Sequence, residues 1–233
     1  MAKLRFLGQA AWEVTTSEGK VLYFDPWLDP NPVSPIKAAD VKKADLVFVT
    51  HGHSDHLGDA FSLVQNTGAT LICNPELGFK AEAEAGIRYD VGSYPVHIGG
   101  SATVKGVSFH VTDANHTADP GDTLGFVVEV EPGARMYHAG DTGVFGDMAL
   151  IGQLYSPQLA LLPIGGRYTM GPREAALAAQ LLQVDVVIPM HYNTFPDQQR
   201  QSSEEFVALV KAIAPKAKVL LVEPGQVIEY PGC

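Results

Sequence analysis

The chain of 233 residues has only two cysteines, Cys73 and Cys233, one after an apolar run and one at the last position. A framework of disulfide bonds is therefore not expected, and a reducing compartment fits this cysteine usage. The sequence has no apolar run of transmembrane length, and its first residues lack the apolar segment of a signal peptide. We therefore expect a cytoplasmic protein without a membrane partner.

Positive charge is also scarce, with 16 Lys and Arg against 26 Asp and Glu and a formal net charge of −10. Because proteins that bind nucleic acids usually present a basic face, we expect no nucleic-acid partner. Hydrophobic residues make up 46% of the chain, which is enough for a large core. The length predicts a single domain over residues 1–233.

Short apolar runs rich in strand-forming residues dominate the sequence, and helical spacing occurs in three segments between them, 56–68, 171–183 and 202–215. Pro172 suits a first helical position, and Ser202 with Glu205 has the spacing of a capping box. No helical pattern is evident from about residue 88 to 143. This order favours two mixed β-sheets packed face to face with helices outside, over the alternative of one parallel doubly wound sheet.

The run "THGHSDHLGD" (residues 50–59) places titratable side chains directly after the apolar run "ADLVFV". In an extended segment His51, His53 and Asp55 can lie on one side, and His56 can swing back from the turn into the next helix. Imidazole and carboxylate groups are good ligands for zinc and similar divalent metals. Four such groups in six residues predict a metal site.

Three more polar residues follow apolar strand-like runs, where site residues carried by loops are usually found: His116, Asp141 and His191. With the cluster they give five histidines and two aspartates, which suits a two-metal site. Asp25 ends another run near the proposed mouth and is interpreted as a turn-former or hydrogen-bond partner. His138 is predicted to support a ligand through its ring N–H.

The motifs "THGHSDH", "NHT", "GDT" and "MHY" stand in the order found in the metallo-β-lactamase superfamily, which the sequence resembles. The segments "FDPWLDPNP", "YHAGDTGVFGDM", "LLPIGGRYTMGP" and "VIPMHYNTFP" are similar to a group of small cytosolic metal-dependent hydrolases related to L-ascorbate-6-phosphate lactonase. The resemblance implies an α/β fold of four layers, an αβ/βα sandwich with the site at one edge between the sheets. The lactonase relatives also make a homo-oligomer an expectation.

The resemblance also implies how the seven side chains divide between two divalent metal ions. The first metal would be held by His51, His53 and His116, the second by Asp55, His56 and His191, and Asp141 would bridge them. Zinc is expected, with manganese, iron, cobalt or nickel as alternatives. Superfamily members with di-iron redox chemistry have glutamate where this chain has His53, which favours a hydrolase over an oxidoreductase.

The expected reaction is hydrolysis of a small ester, lactone or phosphodiester by a hydroxide held between the two metals. Asp55 is the expected catalytic residue, because it can accept or orient the proton of that hydroxide. The alternatives are a metal-dependent nuclease or phosphodiesterase acting on RNA or a nucleotide, and a metal-binding protein without catalysis.

The glycine-rich loop "GGRYTMGP" (residues 165–172) is the predicted contact with a small, anionic substrate. Arg167 can bind a carboxylate or phosphate in bidentate fashion, and Tyr168 and Thr169 can donate hydrogen bonds. The helix that starts at Pro172 also favours an anion at its N-terminus. The alternative is an ordinary strand-to-helix turn with a surface arginine.

Overall fold

The computed structural model of the protein describes residues 1–195 and 202–231. Its strands are β1 (Ala2–Gly8), β2 (Ala11–Thr15), β3 (Val21–Phe24), β4 (Leu46–Phe48), β5 (Thr70–Cys73), β6 (Ser93–Pro95), β7 (Ser101–Val104), β8 (Val107–Asp113), β9 (Leu124–Glu131), β10 (Ala134–His138), β11 (Leu159–Pro163), β12 (Val186–Met190), β13 (Lys218–Val219) and β14 (Val227–Tyr230). Its helices are α1 (Ser54–Leu57), α2 (Ala60–Thr67), α3 (Pro75–Ala85), α4 (Met148–Tyr155), α5 (Pro172–Leu182) and α6 (Ser203–Ile213), with a 3₁₀ turn at Ala38–Asp40.

The strands form two mixed sheets. The first has the order β14-β1-β2-β3-β4-β5-β6, antiparallel as far as β3 and parallel from β3 onward. The second has the order β13-β12-β11-β10-β9-β8-β7, parallel from β13 to β10 and antiparallel beyond. The expectation of two mixed sheets is confirmed, and the alternative of one doubly wound sheet is wrong.

The two sheets pack on a shared apolar core. Phe48 of the first sheet lies edge to face against Phe109 and Phe126 of the second, with ring centroids 5.3 and 5.2 Å apart. Leu63 of α2 and the side chains of α3 cover the outer face of the first sheet, and Phe206 of α6 with α4 and α5 covers that of the second. The predicted four-layer αβ/βα sandwich is therefore confirmed.

The three helices predicted from sequence are present. The second of them starts at Pro172, and at the third the Ser202 hydroxyl accepts the N–H of Glu205 at 3.0 Å. The stretch without helical pattern is occupied by β6 to β10, as expected. Helices α3 and α4 were not predicted; α3 begins where the Asn74 side chain accepts the N–H of Leu77 at 2.7 Å.

Cys73 is a free thiol, fully buried at the end of β5, and burial raises the pKa of this thiol. Cys233 lies outside the described residues, so its predicted lack of a disulfide bond stays a prediction. Among the helices described, none is long and apolar enough to cross a bilayer.

The site predicted from sequence sits where strands of both sheets end at one edge. In the first sheet β3 leads into Asp25 and β4 into His51. In the second, β8, β10 and β12 lead into His116, Asp141 and His191. Since β8 and β10 both run antiparallel to β9, and β10 is parallel to β11 and β12, these three strands end on the same side.

Candidate metal centre

All seven predicted metal ligands come together at this edge. Their donor atoms form three overlapping groups, and within each group the atoms lie within 4.8 Å of one another. The groups are His51, His53 and His116; His51, His56 and Asp141; and Asp55, His56 and His191. The first group offers three imidazole nitrogens, and the other two offer imidazole nitrogens with one carboxylate oxygen. Divalent transition metals take both kinds of donor.

The local backbone separates Asp55 and His56 from His53. The chain is extended at His53, and α1 starts at the next residue. Asp55 and His56 therefore lie in the first turn of a short helix, and Asp55 is grouped with His191 rather than with His51. The expectation that Asp55 shares one side of an extended segment with His51 and His53 is wrong, because the helix begins before it.

Asp141 is the side chain that reaches across the centre. Its Oδ1 lies 3.2 Å from Nε2 of His56, and its Oδ2 lies 3.2 Å from Nε2 of His191 and 3.6 Å from Nε2 of His116. The residue is buried, with 3% of its surface exposed. One carboxylate therefore contacts histidines from separate loops of the fold.

Burial and charge act in opposite directions on the pKa values here. Burial raises the pKa of Asp141, but the adjacent His191 and His56 outweigh it and hold this pKa well below its usual range. Burial lowers the pKa of His191, but the Asp141 and Asp55 carboxylates outweigh it and raise this pKa to about 9. Asp141 is therefore ionised at neutral pH, as a carboxylate that binds a metal must be.

Asp25 fixes the ring orientation of two histidines, which agrees with its interpretation as a hydrogen-bond partner. Its Oδ2 lies 2.7 Å from Nδ1 of His56 and accepts the Thr50 hydroxyl at 2.8 Å. Since the Thr50 hydrogen goes to Asp25, its oxygen is free to accept from Nδ1 of His51, 2.9 Å away. Both histidines then carry their proton on Nδ1 and direct the Nε2 lone pair into the centre.

Gln9, in the turn between β1 and β2, is a site residue that sequence reasoning missed. It is 3% exposed, and its Nε2 lies 2.9 Å from Oδ2 of Asp55 and 2.9 Å from Nε2 of His191. Its carbonyl oxygen accepts the N–H of His191 at 2.7 Å. The sequence signal was weak, because glutamine after a strand is usually a surface turn residue.

His138 does not support a ligand through its ring N–H as predicted. Its Nε2 lies 2.9 Å from the carbonyl oxygen of Ala10, and its Nδ1 accepts the N–H of Gly140 at 3.2 Å. The ring is therefore neutral with its proton on Nε2, and it fixes backbone instead. Gly140 directly precedes Asp141, so His138 helps to place that carboxylate from behind.

The loop of residues 165–171 lies beside His191. A Cβ atom at Gly165 would stand 2.6 Å from the His191 carbonyl oxygen, so only glycine fits this approach. Arg167 and Tyr168 are exposed, with the guanidinium 4.9 Å from the centre of the tyrosine ring. The Thr169 hydroxyl donates to the Met170 carbonyl at 3.3 Å.

Three residues at this edge have a strained backbone. Gln9, Asp25 and His191 have φ values of 58°, 44° and 55°, in the left-handed region that residues other than glycine seldom adopt. Such conformations cost on the order of 1–3 kcal/mol each and persist where the surrounding structure enforces them, typically at functional sites. Gln9 contacts Asp55 and His191, and Asp25 orients His51 and His56, so all three residues shape the centre.

The residues at this centre fit a bound metal ion. Two buried atoms, His56 Nε2 and Asp141 Oδ1, have no hydrogen bond of suitable geometry from any of the described residues. The two atoms lie 3.2 Å apart. Buried polar atoms without partners are costly in a folded protein. Both point into the centre, where a cation would satisfy them.

Comparison with known proteins finds a matching family model and similar chains. A family model described as the beta-lactamase superfamily domain matches residues 20–192. A UPF0173 metal-dependent hydrolase of Caldivirga maquilingensis is 44% identical over 232 residues, which cover 99% of both chains. A second, from Thermofilum pendens, is 45% identical over 237 residues, covering 99% of this chain and all of its own.

Solved structures show the same fold. A metallo hydrolase from the hyperthermophilic archaeon Ignicoccus hospitalis superposes with a TM-score of 0.86 at 38% identity, covering 98% of this chain and 99% of its own. An isothiocyanate hydrolase from Delia radicum gut bacteria superposes with a TM-score of 0.76 at 18% identity, covering 98% of each chain. The second likeness concerns the fold alone.

Proposed function

Because this chain belongs to the beta-lactamase superfamily and is a metal-dependent hydrolase, we propose that it cleaves a small ester, lactone or phosphodiester with two bound divalent metal ions, zinc in the first place. When bound, the two ions lower the pKa of a water to give a hydroxide nucleophile and polarise the substrate oxygen. The proposal includes a cytoplasmic location and a small-molecule substrate rather than a nucleic acid, which the net charge of −10 supports.

The geometry of Asp141 is the observation that carries the two-metal proposal. We assign the first metal to His51, His53 and His116 and the second to Asp55, His56 and His191, with Asp141 shared. The Asp141 carboxylate supports this division, since it lies within 3.6 Å of His116 and within 3.2 Å of both His56 and His191. A carboxylate shared by the two sites would have to lie close to ligands of both.

Asp55 is the proposed proton acceptor of the reaction. Its side chain is 25% exposed, whereas the Asp141 side chain is 4% exposed, so Asp55 can pass a proton to solvent. Its carboxyl is ionised at neutral pH: burial raises the pKa, but the hydrogen bond from His191 and the charge of His56 outweigh it and hold the pKa below the usual range.

The surroundings of the centre suit a small substrate. A cleft of about 300 Å³ lies beside His116 and is lined by Asp113, Asn115, Phe145 and Asp147, within the size range of small-molecule sites. Arg167 and Tyr168 project from the loop beside His191. We propose that an anionic group of the substrate binds at Arg167, because Asp113 and Asp147 in the cleft beside His116 disfavour anions there.

Substitution of Arg167 with alanine tests this contact. We expect KM for an anionic substrate to rise about tenfold, as loss of a charge-assisted hydrogen bond implies, with kcat and the KM of an uncharged lactone nearly unchanged. The matched control is Arg173→Ala, which removes another exposed arginine a few residues along the chain. Equal KM values for Arg167→Ala and Arg173→Ala would contradict the assignment.

The proposed function is tested with a substrate panel: bis-p-nitrophenyl phosphate, p-nitrophenyl esters, a set of lactones and single-stranded RNA at low salt. We expect turnover of an ester, lactone or phosphodiester that a chelator abolishes and added zinc restores. Cleavage of RNA in preference to the small substrates would favour the nuclease alternative. Full metal occupancy without any turnover would favour a metal-binding protein.

A further inference from the structure

We infer that Gln9 is a positioning residue that sets the affinity of the second metal site, defined as Asp55, His56 and His191. The inference rests on the proposed two-metal function. The Gln9 side-chain nitrogen lies at 2.9 Å from ligand atoms of two residues that reach the centre from different sheets, Asp55 after β4 and His191 after β12.

The turn that carries Gln9 is fixed on both sides, so its side chain has little freedom. A Cβ atom at Gly8 would stand 2.6 Å from a Val33 methyl group, so the turn packs tightly against the neighbouring loop. The carbonyl oxygens of Gln9 and Ala10 accept hydrogen bonds from the His191 backbone and the His138 ring, at 2.7 and 2.9 Å. The turn of the first sheet is thereby anchored to the second.

Counting lone pairs shows what Gln9 can do when a metal is bound. A carboxylate oxygen has two lone pairs, so Oδ2 of Asp55 can bind a metal and still accept an N–H of Gln9. Nε2 of His191 carries either a proton or one lone pair, and a metal would take that lone pair, so its contact with Gln9 must open when it binds a metal. Gln9 therefore holds the Asp55 carboxylate in place, and its second N–H is released toward the centre.

Removal of the Gln9 side chain should lower the affinity for one of the two metals. Among the described residues, the side-chain hydrogen bonds of Gln9 go to Asp55 and His191, and neither residue belongs to the group of His51, His53 and His116. Loss of a hydrogen-bond partner behind a metal ligand typically costs about 10- to 100-fold in metal affinity. We expect this loss at the second site alone.

The test is Gln9→Gly, because glycine removes the side chain and adopts a φ of 58° without strain. Zinc is titrated against a competing chelator, and cobalt binding is followed by its absorption spectrum. We expect one of the two equivalents to bind about 10- to 100-fold more weakly with an altered cobalt spectrum, and the other to bind as in the wild type. Gln9→Asn, whose shorter amide also tolerates this φ, is the second variant and should show the same selective loss.

The matched control is Gln65→Ala, which removes an exposed amide that bonds only the Ala85 carbonyl oxygen among the contacts described. Two equivalents bound with wild-type affinity by both Gln9 variants would overturn the role of Gln9 and leave the two-metal proposal intact. Equal weakening of both equivalents would also overturn it, since it would indicate a general structural defect. A wild-type protein that binds one equivalent at most would overturn the two-metal proposal and the inference together.

Discussion

Replacement of Asp141 with alanine will lower kcat/KM by on the order of 10³-fold or more, because it removes the carboxylate that we propose two metals would share. It will also prevent binding of the second metal ion. Two dications bound at neighbouring sites would repel each other strongly. Asp141 is the charge that lies between His56, His116 and His191 and can offset this repulsion.

The measurement for Asp141→Ala is metal content together with turnover at saturating zinc. Asp185→Ala is the matched control, because it removes an exposed carboxylate at the start of β12, away from the centre. We expect the control to keep two metals and wild-type activity. An Asp141→Ala protein with two tightly bound metals and activity within about tenfold of the wild type would contradict the bridging role.

Replacement of Asp25 with alanine will weaken both metals, although Asp25 is not itself among the residues that could bind them. The change removes the acceptor that holds the Nδ1 proton of His56 directly and that of His51 through Thr50. Each metal site then loses about 10- to 100-fold in affinity. Because Asp25 is fully buried beside His56, the free energy of unfolding should also fall by about 3–5 kcal/mol.

Two companion variants separate the hydrogen-bond effect from general destabilisation. Asp25→Asn keeps the shape, but either orientation of its amide turns an NH₂ group toward a donor, Thr50 N–H on one side or His56 on the other. We expect Asn to weaken both metals nearly as much as Ala. Thr50→Val breaks the link to His51 and should mainly weaken the first metal. Chelator titrations and urea unfolding of each variant measure these effects, and normal affinities in Asp25→Asn would refute the account.

Much of the centre could be predicted from sequence, because its chemistry needs rare residue types at strand ends. His51, His53, Asp55 and His56 form a dense cluster, and the partners at the ends of β8, β10 and β12 are polar residues after apolar runs. The spacing of the cluster did not determine which of the other ligands each side chain lies beside. Extended spacing alone predicts Asp55 on the side of His51 and His53, whereas the resemblance groups it with His56 and His191. The structure places it toward His191, because α1 begins before it.

Other features lacked a local signal. Gln9 contacts residues 46 and 182 positions away in the chain, and only the packing of the two sheets brings them together. Helix α4 was missed because its sequence "MALIGQLY" is apolar on most sides and resembles a buried strand. Helix α3 was missed because the alternating residues of "KAEAEA" give a weak apolar face, although Asn74 and Pro75 mark its start.

The central claim, a centre of two metals bridged by Asp141, is tested most directly by anomalous diffraction from a crystal grown with zinc. The account predicts two peaks, one between His51, His53 and His116 and one between Asp55, His56 and His191, with an Asp141 oxygen beside each. A single peak, or a second peak away from Asp55 and His191, in crystals soaked at saturating zinc would contradict it.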